Sequence, residues 1–108
     1  MSAGTKIAAA LGFAILTTGA LVTAQARPSI EPKEGYVPNA ETAVTIGVAV
    51  FHPIFGSASV NKDRPYKVSL ADGIWTVRGT LPPGVAGGTA VAEIAKSDGR
   101  IIRVFHEQ

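Results

Sequence analysis

Cysteine is missing from the chain altogether. That absence excludes a disulfide framework, a cysteine nucleophile, a lipid-anchored lipobox and any thiolate metal site. Histidine is nearly as scarce. His52 and His106 lie far apart in sequence, with no carboxylate at ligand spacing from either. A zinc centre usually takes three or four protein ligands, so no metal is expected. Charge of one sign is lacking too: ten Lys/Arg stand against eight Asp/Glu, a formal +2 despite an isoelectric point near 9.2. The densest basic cluster, Lys62, Arg64 and Lys67, encloses Asp63. A nucleic-acid surface shows as a concentrated positive face, so nucleic acid is not an expected partner.

A long apolar run occurs once. Lys6 precedes a stretch from Ile7 to Val22 broken only by Gly12, Thr17, Thr18 and Gly19, and Ala24-Gln25-Ala26 follows just before Arg27. A positive start, an apolar helix too short to span comfortably and a small-x-small tripeptide together predict a signal peptide over residues 1–26, cleaved between Ala26 and Arg27. The product is expected in the periplasm or outside the cell, without membrane attachment once the leader is removed.

Residues 27–38 hold Pro28, Pro32 and Pro38 among charged residues and predict an extended tether. The fold is expected to begin at Asn39, a good helix N-cap, with Glu41 favoured by the dipole in the first turn. Ala43, Ile46, Gly47, Val50 and Ile54, widened by Val44 and Phe51, recur at helical spacing. Pro53 predicts an end or kink near His52, Gly56 a terminator, and residues 57–64 a loop. Two hairpins follow. A two-residue turn at Asp72-Gly73 sets Leu70 against Trp75, Val68 against Val77 and Tyr66 against Gly79, which gathers the large apolar residues on one face. A three-residue loop Ser97-Asp98-Gly99, with Gly99 left-handed, sets Ile94 against Ile102, Ala92 against Val104 and Glu93 against Arg103. The other face of this second hairpin carries Val91, Ala95, Ile101 and Phe105, so it is either covered or used for association. The fold class is therefore α+β: one N-terminal helix on a four-stranded antiparallel meander, over residues 39–108.

No catalytic constellation emerges. Ser57, Ser59, Ser69 and Ser97 sit in turn or surface settings outside any Gly-x-Ser-x-Gly elbow. Asp72 and Asp98 are turn formers and Glu93 faces Arg103, which leaves Asp63 without a specific role. Gly84, Gly87 and Gly88 lack the lysine and following helix of a phosphate loop. Pro82-Pro83-Gly84 and Gly87-Gly88 read as a stiff turn and a flexible strand entry. Because binding residues favour loops on rigid scaffolds, Pro82, Pro83, Gly84, Gly87 and Gly88 are the candidate protein-binding loop. Trp75 and Tyr66 read as core.

Taken in order, these segments resemble a known family. Val37-Pro38-Asn39-Ala40-Glu41-Thr42-Ala43 leads a helix ending His52-Pro53-Ile54-Phe55-Gly56. Then come Tyr66-Lys67-Val68, Asp72-Gly73-Ile74-Trp75-Thr76-Val77, Gly79-Thr80-Leu81-Pro82, Gly87-Gly88, Glu93-Ile94 and Lys96-Ser97-Asp98-Gly99-Arg100-Ile101. The series is similar to bacterial immunity proteins with a nuclear-transport-factor-two-like fold, here in a reduced, cystatin-like form. The resemblance implies a non-enzymatic protein that binds and neutralises a polymorphic toxin, with no cofactor and no catalytic residues. The resemblance thus implies a protein partner, a toxin, and a homodimer stays open. A second expectation is an accessory or protease-inhibitory module resembling PepSY domains. A third is a carrier or enzyme with a cone-shaped pocket lined by Trp75, Tyr66 and a buried carboxylate, for which the sequence offers no candidate.

Overall fold

The computed structural model describes residues 27–108, and the expected signal peptide, with Ala24 and Ala26 of its expected cleavage site, lies outside them. Helix α1 (Ala40–Phe55) and a short helix α2 (Ser57–Lys62) precede four strands: β1 (Lys67–Ala71), β2 (Ile74–Arg78), β3 (Ala90–Ala95) and β4 (Ile101–His106). The strands form one antiparallel sheet in the order β1-β2-β3-β4, and α1 packs on one face of it.

Local chemistry explains each helix boundary. Asn39 is extended (φ −141°), and its side chain accepts from the Thr42 N–H and the Thr42 hydroxyl, both at 2.8 Å. Of the end or kink expected near His52, the end is corrected: α1 runs through Pro53 to Phe55 and stops at the expected Gly56. Proline costs the helix one N–H bond, but the Gly56 N–H donates to His52 O at 3.0 Å and closes the last turn. At φ 86°, Gly56 turns the chain in a conformation that side chains disfavour. The expected loop over residues 57–64 is also corrected, since it begins with α2. Val60 is the one apolar anchor of α2 and is buried in the core. A single apolar residue in a polar stretch leaves no helical period to read.

The first hairpin has the expected register, Val68 opposite Val77 and Leu70 opposite Trp75. Asp72 (φ 51°) and Gly73 (φ 73°) are both left-handed, as a turn matched to strand twist requires. In the second, Ala92 opposes Val104 and Glu93 opposes Arg103, but Ile94 opposes Ile101, not Ile102. The cause is the turn. Ala95 N–H donates to Arg100 O, and left-handed Gly99 donates back to Ala95 O, both at 2.9 Å. The loop is thus one residue longer than Ser97-Asp98-Gly99, and a bulge that leaves Ile102 unpaired restores register.

Alternation sends Trp75, Val77, Ala90, Ala92 and Ile94 inward, against Ala43, Phe51 and Val60 from the helices. Each fully buried large side chain, such as Phe51 or Ile94, contributes roughly 1.5–3 kcal/mol. Gly47 lets α1 approach β2 closely: a Cβ there would lie 3.1 Å from Val77 Cγ1. Ile54, expected on the buried stripe, is exposed, and it is Phe55, four residues beyond Phe51, that packs against the core.

The fold also takes in residues upstream of Asn39. Val37 is fully buried, and its carbonyl accepts the Trp75 indole N–H at 2.8 Å. Tyr36 and Val37 donate backbone N–H bonds to Ser97 O (2.9 Å) and Lys96 O (3.0 Å), and Lys96 Nζ reaches back to Glu34 O.

Candidate protein-binding surface

The loop joining β2 to β3 stands on a rigid base. Asp63, at the end of α2, is 4% exposed. Its carbonyl accepts the Thr80 N–H at 2.8 Å, and its carboxylate accepts the Ala90 N–H at 3.3 Å. One residue therefore ties down both ends of the loop. Thr89, also buried, donates its hydroxyl to Gly79 O at 3.2 Å, and Thr80 donates its own to Pro65 O. Gly79 has to be glycine: a Cβ would lie 2.7 Å from the Asp63 Cβ.

From this base the tip projects into solvent. Pro82, Pro83, Gly84 and Gly87 are exposed, as is Val85, whose N–H closes a turn on Pro82 O at 3.2 Å. Gly84 (φ 78°) and Gly87 (φ 113°) have nothing within 4 Å of where a Cβ would sit. Gly88 differs from its loop neighbours. A Cβ there would fall 1.8 Å from Glu107 O, so its task is to let the chain end pass. The expected binding loop thus divides into an exposed tip, 82–87, and a structural glycine.

Beside the loop base lies the sheet face turned away from α1. Two rows cross it: Arg78–Val91–Phe105, and Thr76–Glu93–Arg103. Val91 and Ala95, which also point to this face, are buried. The charges are matched. Arg78 Nη2 lies 2.9 Å from Glu107 Oε1, and Arg103 holds Glu93 through two bonds of 3.0 and 2.8 Å. Those bonds draw the Glu93 carboxyl below the usual carboxylate range and push Arg103 further up. The same guanidinium sits 4.6 Å over the Phe105 ring.

Other sequence candidates separate. Ser57 and His52 come together at the α1–α2 corner (Oγ to Nδ1, 3.3 Å) on the exposed surface. His106 packs its ring edge-on against Phe55, centroids 5.9 Å apart. Arg27, first of the described residues, is exposed. Trp75 and Tyr66 pack into or against the core, and Tyr66 stacks on Phe51 at 5.7 Å. An open groove of about 820 Å³ is lined by neither; it lies at the opposite end of the sheet, among Glu31, Tyr36, Asp72, Lys96, Asp98 and Arg100. Sequence reasoning missed Asp63 as a buried carboxylate, because its charged neighbours Lys62 and Arg64 give it the look of a solvated surface. Among the described residues, no group of three or more His, Asp or Glu could hold a metal ion, and no helix is long and apolar enough to cross a membrane.

Comparison with known proteins now joins this geometry. The family described as "NTF2 fold immunity protein" matches residues 42–108. A curated relative, the uncharacterised protein YhhH of Escherichia coli strain K12, is 34% identical over 53 residues, covering 48% of this chain and 42% of that protein. The chain therefore spans less than half the length of that relative. No solved structure matches. With more than half its length matched, the chain belongs to the NTF2 fold immunity protein family. Its helix on a four-stranded antiparallel sheet is consistent with that fold. The printed description of that family names an immunity function.

Proposed function

We propose that the protein acts after export, in the periplasm or outside the cell, and neutralises its toxin by steric blockade. The contact surface is the loop tip 82–87 together with the accessible side chains of the outer sheet rows, Arg78, Arg103 and Phe105. The observation that carries this reading is the pairing of an immunity-family chain with an exposed loop on a base tied down by Asp63 and Thr89. A rigid base matters because ordering a floppy loop on binding costs affinity. The inhibitor works by contact and carries out no reaction of its own. Signal-peptide cleavage after Ala26 leaves Arg27 as the first residue of the working protein.

The test begins with capture of the tagged protein from the envelope of its producing cell and identification of what co-purifies. Expression of the recovered protein in a sensitive strain then asks for protection. A toxic partner whose killing is abolished by co-production supports the proposal. A peptidase as the specific partner, or no specific partner, overturns it.

A further inference from the structure

We infer that β4 is a self-association edge, and that a second copy of this chain pairs with it antiparallel about a two-fold axis at Val104. The two edges of the sheet are treated differently. At one, β1 is preceded by Pro65 and carries Lys67 and Ser69, the proline and lysine that natural edges use against pairing. At the other, β4 reads Ile-Ile-Arg-Val-Phe-His, β-branched and aromatic with no proline. Its bulge lies at the hairpin end, near Ile102, and leaves the segment beyond it straight. Among the described residues, β3 is its one sheet neighbour.

Hydrogen-bond alternation says which groups face out. The Glu107 N–H donates to Thr89 O at 3.0 Å, so with the observed register the bonded positions toward β3 are Arg103, Phe105 and Glu107. Val104 and His106 then turn their N–H and C=O groups to the open edge. Two copies related by a two-fold axis must pair some residue with itself, and side-chain charge selects which. Centring on Arg103 sets like charges directly opposite, which is destabilising. Centring on Val104 uses the outward-turned groups, sets valine against valine on the inner face and places Arg103 against Phe105 of the second copy. That last pairing repeats across the axis the cation–π contact already made within the chain. The product is a continuous sheet of two copies, with the loop tips 82–87 left free. A strand-to-strand contact is small for a protein interface, so the dimer is concentration-dependent.

Analytical ultracentrifugation of the protein, purified from cells expressing the whole chain, tests this between ~1 μM and ~1 mM. Sedimentation is expected to shift from one chain mass to two across that range. Val104→Pro and His106→Pro each remove an outward N–H without touching the β3 ladder, and each is expected to weaken association at least about tenfold. Because Val104 is half-buried and its variant could fail to fold, amide hydrogen exchange of the unaltered protein is read as well. The Val104 and His106 amides are expected to gain protection as concentration rises. A chain that stays monomeric throughout overturns the inference. So does a dimer that survives His106→Pro while the Val104 and His106 amides of the unaltered protein stay unprotected, or edge amides that become protected only when a different protein is added.

Discussion

Asp63 shows how much one side chain holds in a fold of this size. Its carboxylate is the acceptor for the Ala90 N–H, and both groups are buried. Asp63→Ala leaves that donor unmet and should destabilise the protein by about 1.5–3 kcal/mol, measured as a lower urea midpoint at unchanged slope. Tyr66 offers a pH readout of the same corner. Its hydroxyl donates to Val60 O at 2.8 Å, and burial, reinforced by the Asp63 charge, raises its pKa above the usual value near 10. A group whose folded pKa is raised contributes stability that is fully present below the unfolded pKa. That contribution is lost as pH climbs from there through the folded value. Unfolding free energy should therefore fall in this alkaline window, and Tyr66→Phe, which keeps the ring stacked on Phe51, should remove that component of the slope. The role of Asp63 was illegible in the sequence because burial is set by where α2 ends, and the residue's charged neighbours carry no trace of it.

Elements whose signals are local were legible. The Asn39 cap, the Asp72-Gly73 turn and the Glu93–Arg103 pairing each rest on residues within a few positions or directly across a ladder, and all three form as expected. Elements that depend on distant partners were not. Val37 sits among prolines and charges, yet it is core because Trp75 reaches it from 38 positions away. Helix α2 exists because Gly56 redirects the chain and Val60 finds the core, neither of which imposes a period on Ser57–Lys62. The bulge at Ile102 follows from a turn one residue longer than its Asp-Gly signature suggests. Two substitutions measure the local part. Asn39→Ala should cost about 1 kcal/mol in urea unfolding, with Asn39→Asp near neutral. Gly47→Leu should cost more, about 1–3 kcal/mol, because even a Cβ would meet Val77 at 3.1 Å.

At the scale of the whole molecule, stability and recognition are assigned to opposite sides of short distances. Gly87 and Gly88 are adjacent, yet open space surrounds one and the chain end presses on the other. Val85 is 51% exposed at the tip of a loop whose base is tied down by Asp63, Thr80 and Thr89. If the tip is the contact surface for the toxin, removing its apolar character should abolish protection while leaving the fold alone. Val85→Asp is expected to leave the melting temperature within about 2–4 °C, since exposed substitutions change stability by less than about 0.5 kcal/mol. Buried at the centre of an interface, the same charge should weaken toxin binding at least about tenfold, the loss expected of a contact worth more than ~1.4 kcal/mol. Gly88→Ala should do the reverse: it should lower the melting temperature sharply, and any protection lost should return in proportion as the temperature of the assay is reduced. Equal loss of protection and of stability in both variants would mean that the loop matters only as part of the fold. Recognition would then have to lie on the sheet rows alone.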